Sequence, residues 1–211
     1  MMRLALLLLL GLVACQPNRT ETTSADADPA ITPEYVAALP PEQSRSAVSG
    51  LANELIAAHS SECGADPDID WDGCMNLRML QSFDHYGFLA QHCGNQPDNK
   101  AFRACVFSGR SAVDWTLALG GNPDTDLDWS KPEEANQAAL KKLNAVLTKA
   151  CAGRAEQPGE SCFTRESAKR LGLSDTVAAH CSARAEIEQR GACIIDAHDA
   201  AMYQAALRVS D

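Results

Sequence analysis

The sequence predicts an all-α fold made of two tandem helical repeats of about 88 residues, each stapled by disulfides. Eight of the nine cysteines form two quartets with the same internal spacings of 11, 19 and 12 residues. The second quartet repeats the first at an offset of 88 residues, and no gap is needed to align them. Apolar residues recur at helical intervals between the cysteines, whereas runs of alternating β-branched residues are absent.

The first residues have the pattern of an export signal. Arg3 precedes an apolar run from Leu4 to Val13, which is about half the length that a membrane-spanning helix requires. We therefore expect residues 1–14 to be a signal peptide that takes no part in the fold.

The end of this run, Leu12-Val13-Ala14-Cys15, resembles the lipobox of bacterial lipoproteins. The resemblance implies that the signal is cut before Cys15 and that this cysteine is acylated, so that membrane lipid holds the protein. Gln16 follows instead of aspartate, which in that family implies sorting to the outer membrane, with the domain facing the periplasm. The alternative is an ordinary secreted protein with an incidental cysteine.

A polar segment between Cys15 and Pro33 contains almost no large apolar side chains, so it cannot bury enough surface to fold. We expect it to be a flexible tether, with the folded part beginning near Pro33. The predicted organisation is a tether at 15–32, repeat unit 1 at 33–120, an acidic joint at 121–132 and repeat unit 2 at 133–211.

The charge balance is strongly acidic. The formal net charge is −10, and loss of the signal with Arg3 leaves 17 basic against 28 acidic side chains, or −11. Such a charge attracts cationic partners. It argues against a nucleic-acid partner, because nucleic-acid binding depends on Lys and Arg side chains that neutralise phosphates.

An even set of cysteines in an exported protein predicts disulfides. The alternative is a pair of four-cysteine metal sites, but such sites normally use close Cys-x-x-Cys pairs, and this sequence has none. The cysteines concerned are Cys63, Cys74, Cys93, Cys105, Cys151, Cys162, Cys181 and Cys193.

Two pairing schemes are open within each unit. If the element between the second and third cysteines is one straight helix, its ends lie about 28 Å apart, which is too far for a disulfide. If that element folds back at Gly172, the second cysteine can pair with the third, and the first with the fourth. The first scheme, which we favour, joins Cys63–Cys74, Cys93–Cys105, Cys151–Cys162 and Cys181–Cys193.

Capping signals place several helices. The stretch Ser130-Lys131-Pro132-Glu133 combines an N-cap serine, an early proline and a capping-box glutamate. Gly172 followed by Ser174 looks like a helix end and a new N-cap, so the second element of unit 2 is predicted to bend. The predicted helices include 44–62, Ser130 to Cys151, about 98–119 and about 185–208.

The sequence favours a binding role over catalysis. Every mature cysteine except Cys15 is assigned to a disulfide, so no thiol nucleophile remains. Asp84-His85 and His198-Asp199 place an acid beside an imidazole, but adjacent residues do not face each other on a helix. His92 and His180 precede equivalent cysteines, which favours a shared structural role. No nucleotide-binding or metalloprotease motif is present.

Residues 66–74 carry four aspartates at alternate positions, followed by a glycine. The pattern matches the first six positions of an EF-hand loop, so calcium is a candidate ligand, although the sequence as a whole predicts no cofactor. The ligands would be Asp68, Asp70, Asp72 and Asn76. Position twelve is Met79, so the bidentate glutamate of that loop is missing. The alternative is that Asp72 caps the next helix.

A second acidic stretch, Asn122 to Trp129, lies in the joint. The repeat equivalent of the first stretch, Ala152 to Ser161, lacks aspartates, so closure of the disulfide loop does not require them. A third interpretation makes both stretches a contact surface for a basic protein, although each tryptophan can equally pack onto the helices. The candidate contact residues are Asp66, Trp71, Asp124, Asp126, Asp128 and Trp129.

In compartment, size and charge the chain resembles bacterial immunity proteins and lysozyme inhibitors, which block cell-wall-degrading enzymes. The resemblance is one of type, because no motif of those families is present. It implies a membrane-anchored periplasmic protein without catalysis that neutralises a cationic enzyme. The alternative is a calcium-binding or structural lipoprotein of the envelope.

Overall fold

The computed structural model describes residues 30–65, 70–154 and 156–210, and within these ranges the chain is almost entirely helical, which confirms the all-α prediction. The lipobox with Cys15, most of the tether, Asp66 and Asp68 lie outside the described residues. The elements are α1 (Pro33–Ala38), α2 (Pro41–Cys63), α3 (Trp71–Phe83), α4 (Phe88–Cys93), α5 (Asn99–Ala118), α6 (Pro123–Asp126), α7 (Pro132–Ala150), β1 (Glu156–Gln157), β2 (Glu160–Ser161), α8 (Cys162–Arg170), α9 (Asp175–Ser182) and α10 (Ile187–Ser210).

The helix boundaries repeat along the chain as the cysteines do. Helices α2, α3, α4 and α5 of the first copy correspond to α7, α8, α9 and α10 of the second. At the offset of 88 residues, Asn99, which begins α5, falls on Ile187, which begins α10. Both copies therefore have the same order of four helices.

Four disulfides staple the helices, and they follow the first pairing scheme. Each joins cysteines whose Cα atoms lie 5.5 to 5.7 Å apart. The premise behind that scheme is wrong, however, because the second element of each copy is two helices and not one straight helix. The bonds are Cys63–Cys74, Cys93–Cys105, Cys151–Cys162 and Cys181–Cys193.

The two copies break their second element by different means. In the second copy Gly172 has a φ of 68°, and the N–H of Leu173 donates to the carbonyl of Ala168 at 2.8 Å, which closes α8. Ser174 then caps α9, as predicted. In the first copy the carboxylate of Asp84 accepts hydrogen bonds from two N–H groups in the first turn of α4.

Two predicted helix caps are wrong by one or two residues. Asp70 is the N-cap of α3, whereas Asp72 lies in the first turn, near the positive end of the helix dipole. Lys131 is the N-cap of α7, because the hydroxyl of Ser130 donates to Asp128 at 2.6 Å instead of capping the helix.

A short hairpin, which was not predicted from the sequence, lies between Cys151 and Cys162. Strands β1 and β2 pair antiparallel, with Glu156 opposite Ser161. Gly159, in the turn, has a φ of 87°, a conformation that glycine adopts without strain.

The largest hydrophobic cluster among the described residues draws on both copies. Helix α10 packs against α1, α2 and α3 as well as α9, and α5 packs along α7. Leu55 of α2 and Phe83 of α3 lie in one buried cluster with Met202 of α10. Burial of each such side chain contributes about 1.5–3 kcal/mol, so this packing holds the two copies together.

The longest helices, α2 and α10, have 23 and 24 residues and contribute buried side chains to the core. Over the part of the chain that the structure describes, no helix combines the length and the apolar composition needed to cross a bilayer.

Candidate functional site

The acidic joint, residues 121–132, connects α5 to α7 through the short helix α6. Gly120 has a φ of 74° and ends α5, and the N–H of Gly121 donates to the carbonyl of Thr116 at 3.0 Å. A Cβ on Gly121 would lie 2.6 Å from Oδ2 of Asp126. The glycine pair therefore allows the carboxylate of Asp126 to lie directly against the end of α5.

Two aspartates of the joint are held by hydrogen bonds from within the joint. Oδ2 of Asp126 accepts the N–H of Asn122 at 2.9 Å. Oδ1 of Asp128 accepts the N–H of Ser130 at 3.1 Å and its hydroxyl at 2.6 Å. Both carboxylates are exposed, yet their positions are fixed by the backbone turn.

Trp129 packs inward and anchors the joint on the first copy. Its ring stacks on His92 with centroids 4.3 Å apart and an interplanar angle of 6°, and its Nε1–H donates to the carbonyl of Pro123 at 3.1 Å. Nε2 of His92 lies 3.1 Å from Oδ1 of Asp124. A Cβ on Gly109 would come within 2.9 Å of the indole, so α5 also packs closely on this ring.

The stacking of His92 is specific to the first copy. His180, its repeat equivalent, is exposed, so the predicted shared structural role of these histidines is wrong.

A cavity of about 310 Å³ lies beside the joint, between α5 and α7. Asp126 and Asp128 line it from the joint, and Glu134 lines it from the first turn of α7. Buried Ala135 and Ala139 add a small apolar surface to the same cavity. Glu134 was not predicted as a site residue, although the sequence places it in the first turn of the helix that follows the joint.

The cavity carries an excess of negative charge. Hydrogen bonds from the side chain and the backbone of Ser130 lower the pKa of Asp128, so this carboxylate is ionised at neutral pH. Glu134 pairs with Lys131 at 3.3 Å, but both side chains are exposed and such pairs contribute little. Lys142 also lines the cavity, so three carboxylates share it with one ammonium group.

Comparisons with protein-family models, curated proteins and solved structures found no match. The function is therefore inferred from the residues of the site and their chemistry.

The described half of the first acidic stretch does not have the shape of an EF-hand loop. Helix α3 begins at Trp71, the fourth position of the proposed loop, so Asp72 and Asn76 lie one helical turn apart. The amide of Asn76 donates to Oδ1 of Asn99 at 2.8 Å, and Asp72 lies 3.8 Å from Arg103. Since a calcium loop needs an irregular backbone here, this geometry favours the helix-start interpretation.

Trp71 differs from Trp129 in its surroundings. Its side chain is 42% exposed at the start of α3, next to the N-cap residue Asp70. An exposed indole of this kind suits a contact surface. The structure therefore leaves Trp71 as the more accessible tryptophan of the two acidic stretches.

The cysteines do not offer a metal site in the described ranges. The one group of three close ligand atoms there comes from Cys151, Glu156 and Cys162. The two cysteines are joined in a disulfide, and Glu156 accepts hydrogen bonds from the hydroxyl of Ser161 and the N–H of Phe163. This group fixes the start of α8.

Proposed function

We propose that the protein is an outer-membrane lipoprotein that binds and neutralises a basic protein in the periplasm, foremost a cationic cell-wall-degrading enzyme. The observation that carries this proposal is the cavity at the acidic joint, where Asp126, Asp128 and Glu134 come together on a chain of net charge −10. A lysine or arginine side chain of the partner would place its charge among these carboxylates and its methylene groups against the alanines.

The rigidity of the joint supports a binding role. Asp126 and Asp128 accept hydrogen bonds from Asn122 and Ser130. Trp129 stacks on His92 and so holds the turn against the first copy. Acceptors that are already fixed lose little conformational entropy when a partner binds. The joint thus presents its charge in one arrangement.

The disulfides and the lipobox support the proposed compartment. Disulfides persist in oxidising compartments such as the periplasm. An acylated Cys15 with a tether to residue 32 would keep the domain within roughly 60 Å of the membrane. Replacement of Cys15 by serine is expected to abolish incorporation of labelled palmitate and to move the chain from the membrane fraction to the soluble fraction. Unchanged labelling would overturn the anchor.

Calorimetric titration of the full chain with a cationic lysozyme and with cationic peptidoglycan amidases tests the binding proposal. We expect an affinity that falls with added salt and falls about tenfold in Glu134→Arg. Glu54→Arg makes the same change of charge at an exposed site on α2, outside the cavity, and is the matched control.

Equal losses of affinity in Glu134→Arg and Glu54→Arg would show that net charge, and not the joint, governs binding. Failure of every enzyme in the panel to bind would reject the proposed class of partner.

A further inference from the structure

A second cavity, of about 340 Å³, lies between the α3–α4 turn, α5, α8 and α10. It shares no lining residue with the cavity at the acidic joint. Its polar groups include Arg110, Arg170 and His198, and its apolar wall includes Leu117 and Met202. A basic cavity is unexpected in a chain with 28 acidic and 18 basic side chains.

His198 is a buried cation at this cavity. Its Nε2 lies 3.2 Å from Oδ2 of Asp114, its Nδ1 lies 3.6 Å from Oδ1 of Asp199, and the residue is 6% exposed. Burial lowers the pKa of His198, but the hydrogen bond to Asp114 and the negative charges of Asp114 and Asp199 outweigh it and raise the pKa to about 9. The expectation that His198 and Asp199 do not face each other is wrong, since Nδ1 of His198 lies 3.6 Å from Oδ1 of Asp199. The partner from α5 could not be found from the sequence.

Arg110 is held in place by two hydrogen bonds. Its Nε donates to Oδ2 of Asp114 at 3.0 Å, and its Nη1 donates to the carbonyl of Phe83 at 3.0 Å. The guanidinium carbon lies 5.6 Å from the ring centroid of Tyr86, so that ring adds a cation–π contact. These contacts orient the guanidinium and leave Nη2 as the nitrogen that can bind a ligand.

Arg170 reaches the same cavity from the end of α8. Its Nη1 donates to the carbonyl of Ala118 at 3.1 Å, which ties α8 to the end of α5. Its Nε is buried and has no hydrogen-bond partner within the described chain. A buried donor without a hydrogen-bond partner destabilises a fold. A ligand that accepts a hydrogen bond from this nitrogen would remove that cost.

The charges of this cluster do not cancel. Arg110, Arg170 and His198 supply three positive charges, while Asp114 and Asp199 supply two negative ones. His85 also lines the cavity, and its Nε2 lies 3.1 Å from the carbonyl of Ser82. One positive charge is therefore left over in a partly apolar cavity of a size that suits a small ligand.

We propose that this cavity binds a small organic carboxylate. Nη2 of Arg110 and Nε of Arg170 donate to the carboxylate group, because charge-assisted hydrogen bonds from guanidinium groups to a carboxylate are strong. Leu117 and Met202 contact the apolar tail of the ligand. Nothing in this inference depends on the partner proposed for the acidic joint.

Titration of the full chain with hexanoate tests the inference. Hexanamide has the same shape without the charge, and acetate has the charge without the tail. We expect saturable binding of hexanoate and binding at least about tenfold weaker for each of the other two. Equal binding of hexanamide would overturn the role of the arginines, and the absence of saturable hexanoate binding would overturn the site.

Two substitutions locate the binding. Arg170→Gln is expected to weaken hexanoate binding about tenfold, whereas Arg165→Gln, which is exposed on the same helix, leaves it unchanged. Ala201→Leu fills the cavity without removing a charge and is expected to abolish binding. Melting curves establish that each variant is folded. Wild-type affinity in both Arg170→Gln and Ala201→Leu would place the ligand elsewhere and reject the inference.

Discussion

Single charged residues set how the stability of this fold depends on pH, and His198 contributes through its raised pKa. Its pKa is raised to about 9 in the folded state, whereas an unfolded histidine has a pKa of about 6.5. The stabilisation is thus fully present below about pH 6.5 and is lost as pH rises through 9, with a total of at most about 3 kcal/mol.

Urea unfolding at pH 6, 8 and 10 measures this effect. The wild type should lose stability across the series, and His198→Gln should lose clearly less. His180→Gln, at an exposed site, is the control that should follow the wild type. Tyr203, whose pKa is raised to about 12 mainly by burial, adds a loss only above about pH 10. Identical pH slopes in wild type and His198→Gln would contradict the assignment.

Calcium is expected to have no effect on the described fold. Asp72 and Asn76 lie on a helix, and the amide of Asn76 is engaged with Asn99, so they cannot form a calcium loop without unwinding α3. The melting temperature should therefore be the same in millimolar calcium and in EDTA. A rise with calcium that Asp70→Asn removes would restore the EF-hand interpretation.

At the scale of elements, the glycine that breaks α8 from α9 has a measurable energetic role. Gly172 adopts a φ of 68°, so Gly172→Ala should lower the free energy of unfolding by about 1–2 kcal/mol. Gly191 lies inside α10 with open space around its Cβ position, and Gly191→Ala should raise it by up to about 1 kcal/mol. Urea titrations should therefore show changes of opposite sign in the free energy of unfolding for the two variants. Equal changes would contradict the role of Gly172.

The disulfides close loops of equal length in the two copies. Cys63–Cys74 and Cys151–Cys162 each span 11 residues. Removal of either disulfide should therefore increase the conformational entropy of the unfolded chain by a similar amount. Replacing either pair by serine should lower the free energy of unfolding by about 2–4 kcal/mol. Guanidinium unfolding measures this, and an unchanged transition in either variant would show that the staple is not needed for stability.

The sequence predicted some features of the helices and disulfides but not others. The cysteine spacing sufficed to predict the helical repeat. The favoured pairing is correct although its premise is wrong, because each disulfide joins helices that follow one another along the chain. The cap at Asp84 and the hairpin at Glu156 were missed, since each depends on one side chain bonding to a backbone several residues away. Ser130 was misassigned because Asp128, two residues earlier, accepts its hydroxyl first.

At the scale of the whole molecule, the features that could not be predicted from the sequence are those that depend on packing between distant helices. Helical periodicity shows which face of α10 is apolar, but not that α2 and α3 of the other copy cover it. The residues that line the two cavities could not be predicted from helical periodicity either. Glu134 joins Asp126 because α7 packs along α5, and His198 meets Asp114 because α10 packs near the same helix.

The proposed function depends most on the acidic joint as a contact surface for a basic protein. The most direct test is to titrate the ¹⁵N-labelled full chain with the cationic lysozyme and to follow its backbone amide shifts. The largest changes are predicted between Asn122 and Ser130 and in the first turn of α7, and Glu134→Arg should weaken them. Shifts confined to other elements, with the amides of the joint unmoved, would contradict the claim.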